Sequence, residues 1–272
     1  MSGDSREWQG LHPLSNKNVQ VLNFNPLENG RDRFGNRLIT SPTIGFFNRK
    51  DEESKAALLI STEGEIFIKN HKGILKEIEE AINQFKQNLQ LKNLKLSQGE
   101  IEFVLEHNSD IYKITLQDGE YILKVPTDRS GIRPGYENYF EDVSQPYINE
   151  MLQLQEFDEE FGPELDKLGI EINAILFASN SVSLSRFIPG KHPERKNLLP
   201  ILNSLTPEIE KFIHEREKKN IPLWENIHQD LDRKKPKEAE SYPARDNFIE
   251  RPDESLVIID AFAYKKNPIP SK

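Results

Sequence analysis

Four short stretches of this 272-residue chain carry side chains whose type and position could do chemistry. Tyr121-Ile122-Leu123-Lys124-Val125 sets one lysine inside an otherwise apolar run that Pro126 stops. A lysine fixed on a strand is a compact point charge for an anion, although Leu-Lys-Val is also what a solvent-facing edge strand carries. Leu256-Val257-Ile258-Ile259-Asp260 is an apolar run ending abruptly in a carboxylate. Such a run fits a buried strand that delivers a metal ligand at its tip, and equally a strand that ends where a turn begins. Asn247, in Asp246-Asn247-Phe248-Ile249, lies 13 positions before Asp260. His228-Gln229-Asp230 sets an imidazole two positions from a carboxylate, while Trp224, Ile227, His228 and Leu231 also fit one face of a helix.

These groups need elements to position them. Ile101, Phe103 and Leu105 alternate with acidic residues, as in a half-buried strand starting at Glu100. Ile111 to Leu116 reads as a second strand, Gln117-Asp118-Gly119-Glu120 as a turn, and Tyr121 to Val125 as a third strand, together a meander. A helix is predicted at ~145–157 with Ile148, Met151, Leu152 and Leu154 on its apolar face, and Phe161-Gly162-Pro163 reads as a break. Strands follow from Glu171 to Ala178 and from Ser181 to Ile188, the second ended by Pro189-Gly190. Helices are predicted at ~197–204 and ~206–219, the second opening on Thr206-Pro207 with Glu208 and Glu210 in its first turn. The last strand runs from Ser255 to Asp260.

Upstream, residues 1–40 are rich in Asn, Gly, Arg and Pro, and read as an irregular arm touching the core through Val19, Val21, Leu22 and Phe24. Ala56 to Ile60 and Glu65 to Ile68 flank Ser61-Thr62-Glu63-Gly64 as the two strands of a hairpin. Ile74, Ile78, Ile82, Phe85 and Leu89 recur at helical spacing, so an amphipathic helix is predicted at ~72–92. No internal repeat or low-complexity tract is visible.

The order strand, strand, strand, helix, strand, strand and then helices resembles the smaller lobe of the protein kinase and aminoglycoside phosphotransferase superfamily. The resemblance covers about 160 residues, ~100–262. It implies that Lys124 contacts the phosphates of ATP and that Glu150, in Tyr147-Ile148-Asn149-Glu150-Met151, pairs with Lys124. It further implies that the connection Ser185-Arg186-Phe187-Ile188-Pro189-Gly190, with Arg186 and Ile188, binds the nucleotide through its backbone. Asn108 and Ser109, in the turn His107-Asn108-Ser109-Asp110, stand where the family cradles phosphate. Asn247 and Asp260 stand where the family holds Mg²⁺, an ion that takes hard oxygen ligands and keeps several waters.

The sequence also departs from that pattern. The turn His107 to Asp110 has no glycine, which the family uses to bring backbone N–H groups close to phosphate. Five residues before Asn247, where the family's catalytic aspartate stands, this chain has Tyr242. Asp230 is the candidate base if an insertion spans Leu231 to Ala244, and Asp246 is a further candidate. Asp260 is followed by Ala261-Phe262, and the 12 residues after it leave no room for an activation segment, so a truncated domain is expected.

Composition bounds the partners. With 36% hydrophobic and 30% charged residues and a net charge of −9, the chain lacks the concentrated basic surface that nucleic acid or an acidic membrane requires. Arg233-Lys234-Lys235 fits a solvated helix end. The absence of cysteine excludes disulfides and thiolate metal sites. Met1 to Gly10 is polar and no run approaches 18 apolar residues, so neither a secretory signal nor a membrane span is expected. A cytoplasmic protein is the default, and export by a dedicated secretion apparatus is compatible with the same sequence.

The expectation is therefore an α+β chain. Residues 1–95 form an accessory unit, and residues 96–272 a truncated kinase-like domain with a five-stranded antiparallel sheet, a helix and a short helical lobe. Its expected function is ATP- and Mg²⁺-dependent phosphoryl transfer to an unspecified acceptor. An inactive pseudokinase that binds nucleotide or a protein partner is the alternative, and nucleotidyl transfer on the same fold is a third reading.

Overall fold

The computed structural model describes residues 12–13, 30–41, 56–106, 109–126, 146–179, 182–218, 223–225, 247–259 and 262–264. In chain order the strands are β1 (His12–Pro13), β2 (Arg37–Ser41), β3 (Ala56–Ile60), β4 (Asn93–Leu96), β5 (Gly99–Glu106), β6 (Ser109–Leu116) and β7 (Gly119–Pro126). They continue as β8 (Ile170–Ile172), β9 (Ile175–Ser179), β10 (Ser183–Arg186), β11 (Leu223–Glu225), β12 (Phe248–Glu250), β13 (Leu256–Ile258) and β14 (Phe262–Tyr264). The helices are α1 (Thr62–Asn70), α2 (Ile74–Gln87), α3 (Pro146–Lys167) and α4 (Arg195–Lys218). The chain is thus α+β, and it divides into two compact units, Met1–Phe140 with Ala174–Phe187, and Glu141–Asn173 with Ile188–Lys272.

The first unit is built on one sheet of nine strands in the order β1-β2-β3-β9-β10-β7-β6-β5-β4, every neighbouring pair antiparallel. Nine strands stand where five were expected, because β1 to β4 also pair into it. The meander appears as predicted, with Ile111 opposite Lys124 and Tyr112 opposite Leu123. Alternation decides what each strand buries. Tyr112, Ile114 and Leu116 of β6 and Tyr121, Leu123 and Val125 of β7 enter one core with Phe67 of α1 and Ile78, Ile82 and Phe85 of α2. Lys124 belongs to the other face.

Helix α2 forms from the predicted stripe but ends at Gln87, so Leu89 stands outside it and is exposed. Asn88 turns the chain there, its side chain accepting from the Gln90 N–H. The predicted hairpin around Ser61 is replaced by α1. Ser61 caps that helix, accepting from the Gly64 N–H at 3.0 Å and donating to the Leu176 carbonyl at 2.9 Å. Glu63 and Glu65 suit its first turn. Gly64 lets the helix lie directly on β9, since a Cβ there would overlap the Leu176 carbonyl oxygen. A capped first turn with acidic residues outweighs the short alternation of Glu65 to Ile68.

Part of the arm expected to be irregular is ordered by Asp32. Its buried carboxylate accepts from the N–H groups of Phe34 (3.0 Å) and Asn36 (2.8 Å) and from the Asn36 amide, forming the turn that leads into β2. Val19, Val21, Leu22 and Phe24 lie outside the described residues.

The second unit corrects three readings of the sequence. Helix α3 runs through Phe161-Gly162-Pro163 instead of breaking there. Phe157, Phe161 and Leu165 are buried on both sides of Pro163, so packing holds the two halves together across the missing hydrogen bond. Helix α4 likewise contains Pro200 and Pro207 within one element where two were predicted. Phe157 meets Phe212 edge-on at 5.2 Å and Phe161 meets Phe212 at 6.2 Å, which fastens α4 to α3. The strand predicted from Glu171 to Ala178 is two strands. β8 pairs with β13 in a small sheet of the second unit, and β9 joins the large sheet of the first. The switch comes at Asn173, whose N–H is bonded to the Ile258 carbonyl at 2.8 Å.

Candidate functional site

Lys124 stands near the end of β7, flanked in register by Ile111 of β6 and Ser183 of β10. Residues opposite each other on antiparallel strands share a face, which defines a row across the sheet: Leu59, Ala178, Ser183, Lys124, Ile111. The first three are buried, while Lys124 and Ile111 are half-buried. One charge therefore sits at the margin of a sheltered apolar and small-residue surface. In such a setting its attraction for an anion is screened less than at an open surface.

Ser109 pairs with Pro126, two positions beyond Lys124 in register, so the ladder brings Ser109 and Lys124 to the same end and face. Asn108 lies outside the described residues. Lower on this face, Lys113 pairs with Glu120 at 2.6 Å and lies over the Phe187 ring at 4.4 Å. Arg186 is opposite Tyr121 and so belongs to the other face of the sheet, where it pairs with Glu63 at 3.4 Å. Only its backbone remains for the role expected of this connection. The Phe187 N–H extends the ladder to the Glu120 carbonyl at 2.9 Å. Sequence reasoning missed Ser183 and Ser185. In the sequence only their alternation with Leu184 marks them, and their place beside Lys124 comes from the strand register.

The second unit carries Asn247, one of the two oxygen donors expected from the sequence. Strands β12 and β13 form a hairpin with Phe248 opposite Ile258. Beyond that pair the Ile259 N–H donates to the Asn247 carbonyl at 2.9 Å. Asn247 and Ile259 therefore leave the hairpin side by side, and Asp260 follows Ile259 in sequence. Asp260 itself, like Asp230, His228, Tyr242 and Asp246, lies outside the described residues. Among the described residues no three His, Cys, Asp or Glu side chains gather into a metal cage. A pair of oxygen donors is nevertheless the donor set that Mg²⁺ takes from protein when phosphates and waters complete its shell.

Specific contacts fix the hairpin. Arg251 pairs with Glu171 of β8 at 2.7 Å, and this hydrogen bond holds the Glu171 carboxyl below its usual range. Ser255 bonds Asp253 through both its hydroxyl and its N–H, lowering the Asp253 carboxyl in turn. Ile188 is half-buried and opens the segment that crosses to the hairpin. Lys191 exchanges backbone bonds with Glu250 at 2.8 and 3.1 Å, and His192 Nδ1 lies 2.9 Å from the Phe248 carbonyl. Gly190 allows this approach, because a Cβ there would overlap the Glu250 carbonyl oxygen.

Glu150 lies in the first half of α3 and is buried, as is Gln153 one turn later. Helix α3 packs against β8 and against β14, whose first residue, Phe262, comes two positions after Asp260. No helix among the described residues is long and apolar enough to cross a membrane.

No protein-family model matches this sequence, and neither does any curated protein. Among solved structures the chain is similar to Rv3197 of Mycobacterium tuberculosis in complex with erythromycin, at 15% identity and TM-score 0.29, over 61% of this chain and 46% of that one. It is similar to vaccinia related kinase 3 at 10% identity and TM-score 0.32, over 66% and 55%. A third similarity is to the ADP-bound aminoglycoside phosphotransferase APH(2'')-Ib, at 14% identity and TM-score 0.26, over 68% and 71%. The chain thus spans about half the length of the first two. A kinase and an aminoglycoside phosphotransferase thus stand among the structures it matches.

Proposed function

We propose that the chain is a kinase-like phosphotransferase that uses Mg-ATP, with its kinase-like region at residues 96–272. The observation that carries this reading is the hydrogen bond from Ile259 to Asn247 at 2.9 Å, which joins the two chain segments that hold the expected metal ligands. In this reading Lys124 neutralises charge on the phosphates and Glu150 orients Lys124. Ser109 and Asn108 border the phosphates, and the backbone around Arg186 and Ile188 receives the base. Asn247 and Asp260 would hold Mg²⁺, which shields the phosphate oxygens when bound. Asp230 is assigned to orient the acceptor hydroxyl. Catalysis would then be positioning plus electrostatic stabilisation, as phosphoryl transfer requires.

Transfer of labelled γ-phosphate to water or to added acceptors tests the reading. Lys124→Ala and Asp260→Ala are each expected to lower turnover at least about a hundredfold with the fold retained. Transfer persisting in both variants contradicts it.

A second reading has its own support. The turn at His107 to Asp110 has no glycine, and Tyr242 stands where the family's catalytic aspartate is expected. Both features favour a pseudokinase that binds nucleotide, or a protein partner, without turnover. Saturable Mg-ATP binding with no phosphate transfer would select it.

A further inference from the structure

Phe187 is the last residue of the first unit, and β10 ends one position before it at Arg186. Its N–H extends the ladder with β7 by a single bond, to the Glu120 carbonyl at 2.9 Å. A strand end held by one backbone bond frays readily. Here side chains from two strands reinforce it. Lys113 of β6 stands opposite Ile122 and diagonal to Glu120 of β7, a spacing that a long side chain spans. Its ammonium meets the Glu120 carboxylate at 2.6 Å and lies 4.4 Å from the centre of the Phe187 ring. An exposed ion pair alone contributes little. This lysine side chain is only 25% exposed, and one ammonium serves both a carboxylate and a ring face, contacts that strengthen as water is excluded. On the face that Lys113 covers, the ring anchors the backbone and leaves no surface for a base to stack on. The ammonium is also directed toward Glu120, away from Lys124 at the other end of β7.

We propose that Lys113 is a positioning residue for nucleotide binding: it fixes Phe187 at the end of the sheet, and with it the backbone that receives the base. This rests on the nucleotide reading, in which the backbone around Arg186 and Ile188 takes that role. Each contact that the proposal uses lies within the first unit. Lys124 and Lys113 then divide the work on one sheet face, the first acting on phosphate and the second on the seat of the base.

The test is calorimetric titration of the full chain with Mg-ATP across a double-mutant cycle, with melting temperatures recorded alongside. Lys113→Met, which keeps the bulk and removes the charge, is expected to weaken Mg-ATP binding about tenfold. Lys113→Arg, which keeps both the ion pair and the ring contact, should bind within about twofold of wild type. Phe187→Leu should weaken binding as Lys113→Met does, and in that background Lys113→Met should cost nothing further. Glu120→Gln removes one of the ammonium's two partners and should weaken binding about threefold. It carries the test if Lys113→Met does not fold. Unchanged affinity in Lys113→Met, or in Glu120→Gln standing in for it, overturns the proposal, and a lower melting temperature then marks a purely structural pair. A loss that persists undiminished in the Phe187→Leu background puts Lys113 on the ligand itself and overturns the proposal too. Both outcomes leave the nucleotide reading standing. Wild type that does not bind Mg-ATP, or Lys124→Ala that binds as well as wild type, overturns the nucleotide reading itself and the proposal with it.

Discussion

The two units hold their candidate groups by different means. In the first, Lys124 is one position in a continuous ladder, with strands of four and eight residues on either side and a core of β-sheet and two helices behind it. In the second, Asn247 lies beside a sheet whose three strands have only three residues each. Few ladder bonds can hold so small a sheet, so side-chain pairs and one tight glycine contact carry more of the load. Lys124 should be robust to single changes nearby and Asn247 sensitive to them.

The largest expected effect separates the two units. Phe212 is fully buried among Phe157 and Phe161, so Phe212→Ala should cost about 3–5 kcal/mol. Hydrogen exchange read residue by residue should then speed up most in α3 and α4 and least in β5 to β7. Leu123→Ala, in the other core, should give the reverse distribution. Equal acceleration everywhere would mean that the units unfold together.

A smaller change sharpens the contrast within the second unit. Gly190→Ala forces a methyl group onto the Glu250 carbonyl, and overpacking of this kind costs about 1–3 kcal/mol. Because the contact lies on the hairpin that presents Asn247, urea denaturation should register the loss together with weaker Mg²⁺-dependent nucleotide binding. Loss of stability with binding intact would uncouple the hairpin from the site.

The smallest effect belongs to the first unit and appears only at high pH. Burial, and then Asp118 beside it, push the Tyr121 hydroxyl up to about 12 from its ordinary value of 10.0. The folded chain thus keeps the proton where the unfolded chain releases it. The associated stability is present below pH 10 and lost as pH rises toward 12. Tyr121→Phe should flatten that decline in thermal melts between those limits.

Legibility in the sequence followed the length of the repeating pattern. Alternation in β6 and β7 exposed the meander and the position of Lys124, because a two-residue period over eight residues has few competing explanations. The stripe from Ile74 to Phe85 gave α2 for the same reason. What failed were the local punctuation signals. Pro163 and Pro207 were read as breaks, yet tertiary packing of Phe157, Phe161 and Phe212 keeps both helices whole. Ser61 was read as a hairpin turn although it is a helix cap. β2 escaped detection because its neighbours in the sheet, not its own pattern, make Arg37–Ser41 a strand. At the site, residue types alone named Lys124, Glu150 and Asn247 as candidates. The place of Ser183 beside Lys124 was not legible, since only strand register reveals it.

The central claim is that Lys124 serves a nucleotide, and calorimetric titration of the full chain with ATP, with and without Mg²⁺, tests it most directly. Saturable binding that Mg²⁺ strengthens and that Lys124→Ala weakens at least about tenfold is the predicted result. Heats no larger than dilution for the wild type, or identical isotherms for wild type and Lys124→Ala, would contradict it.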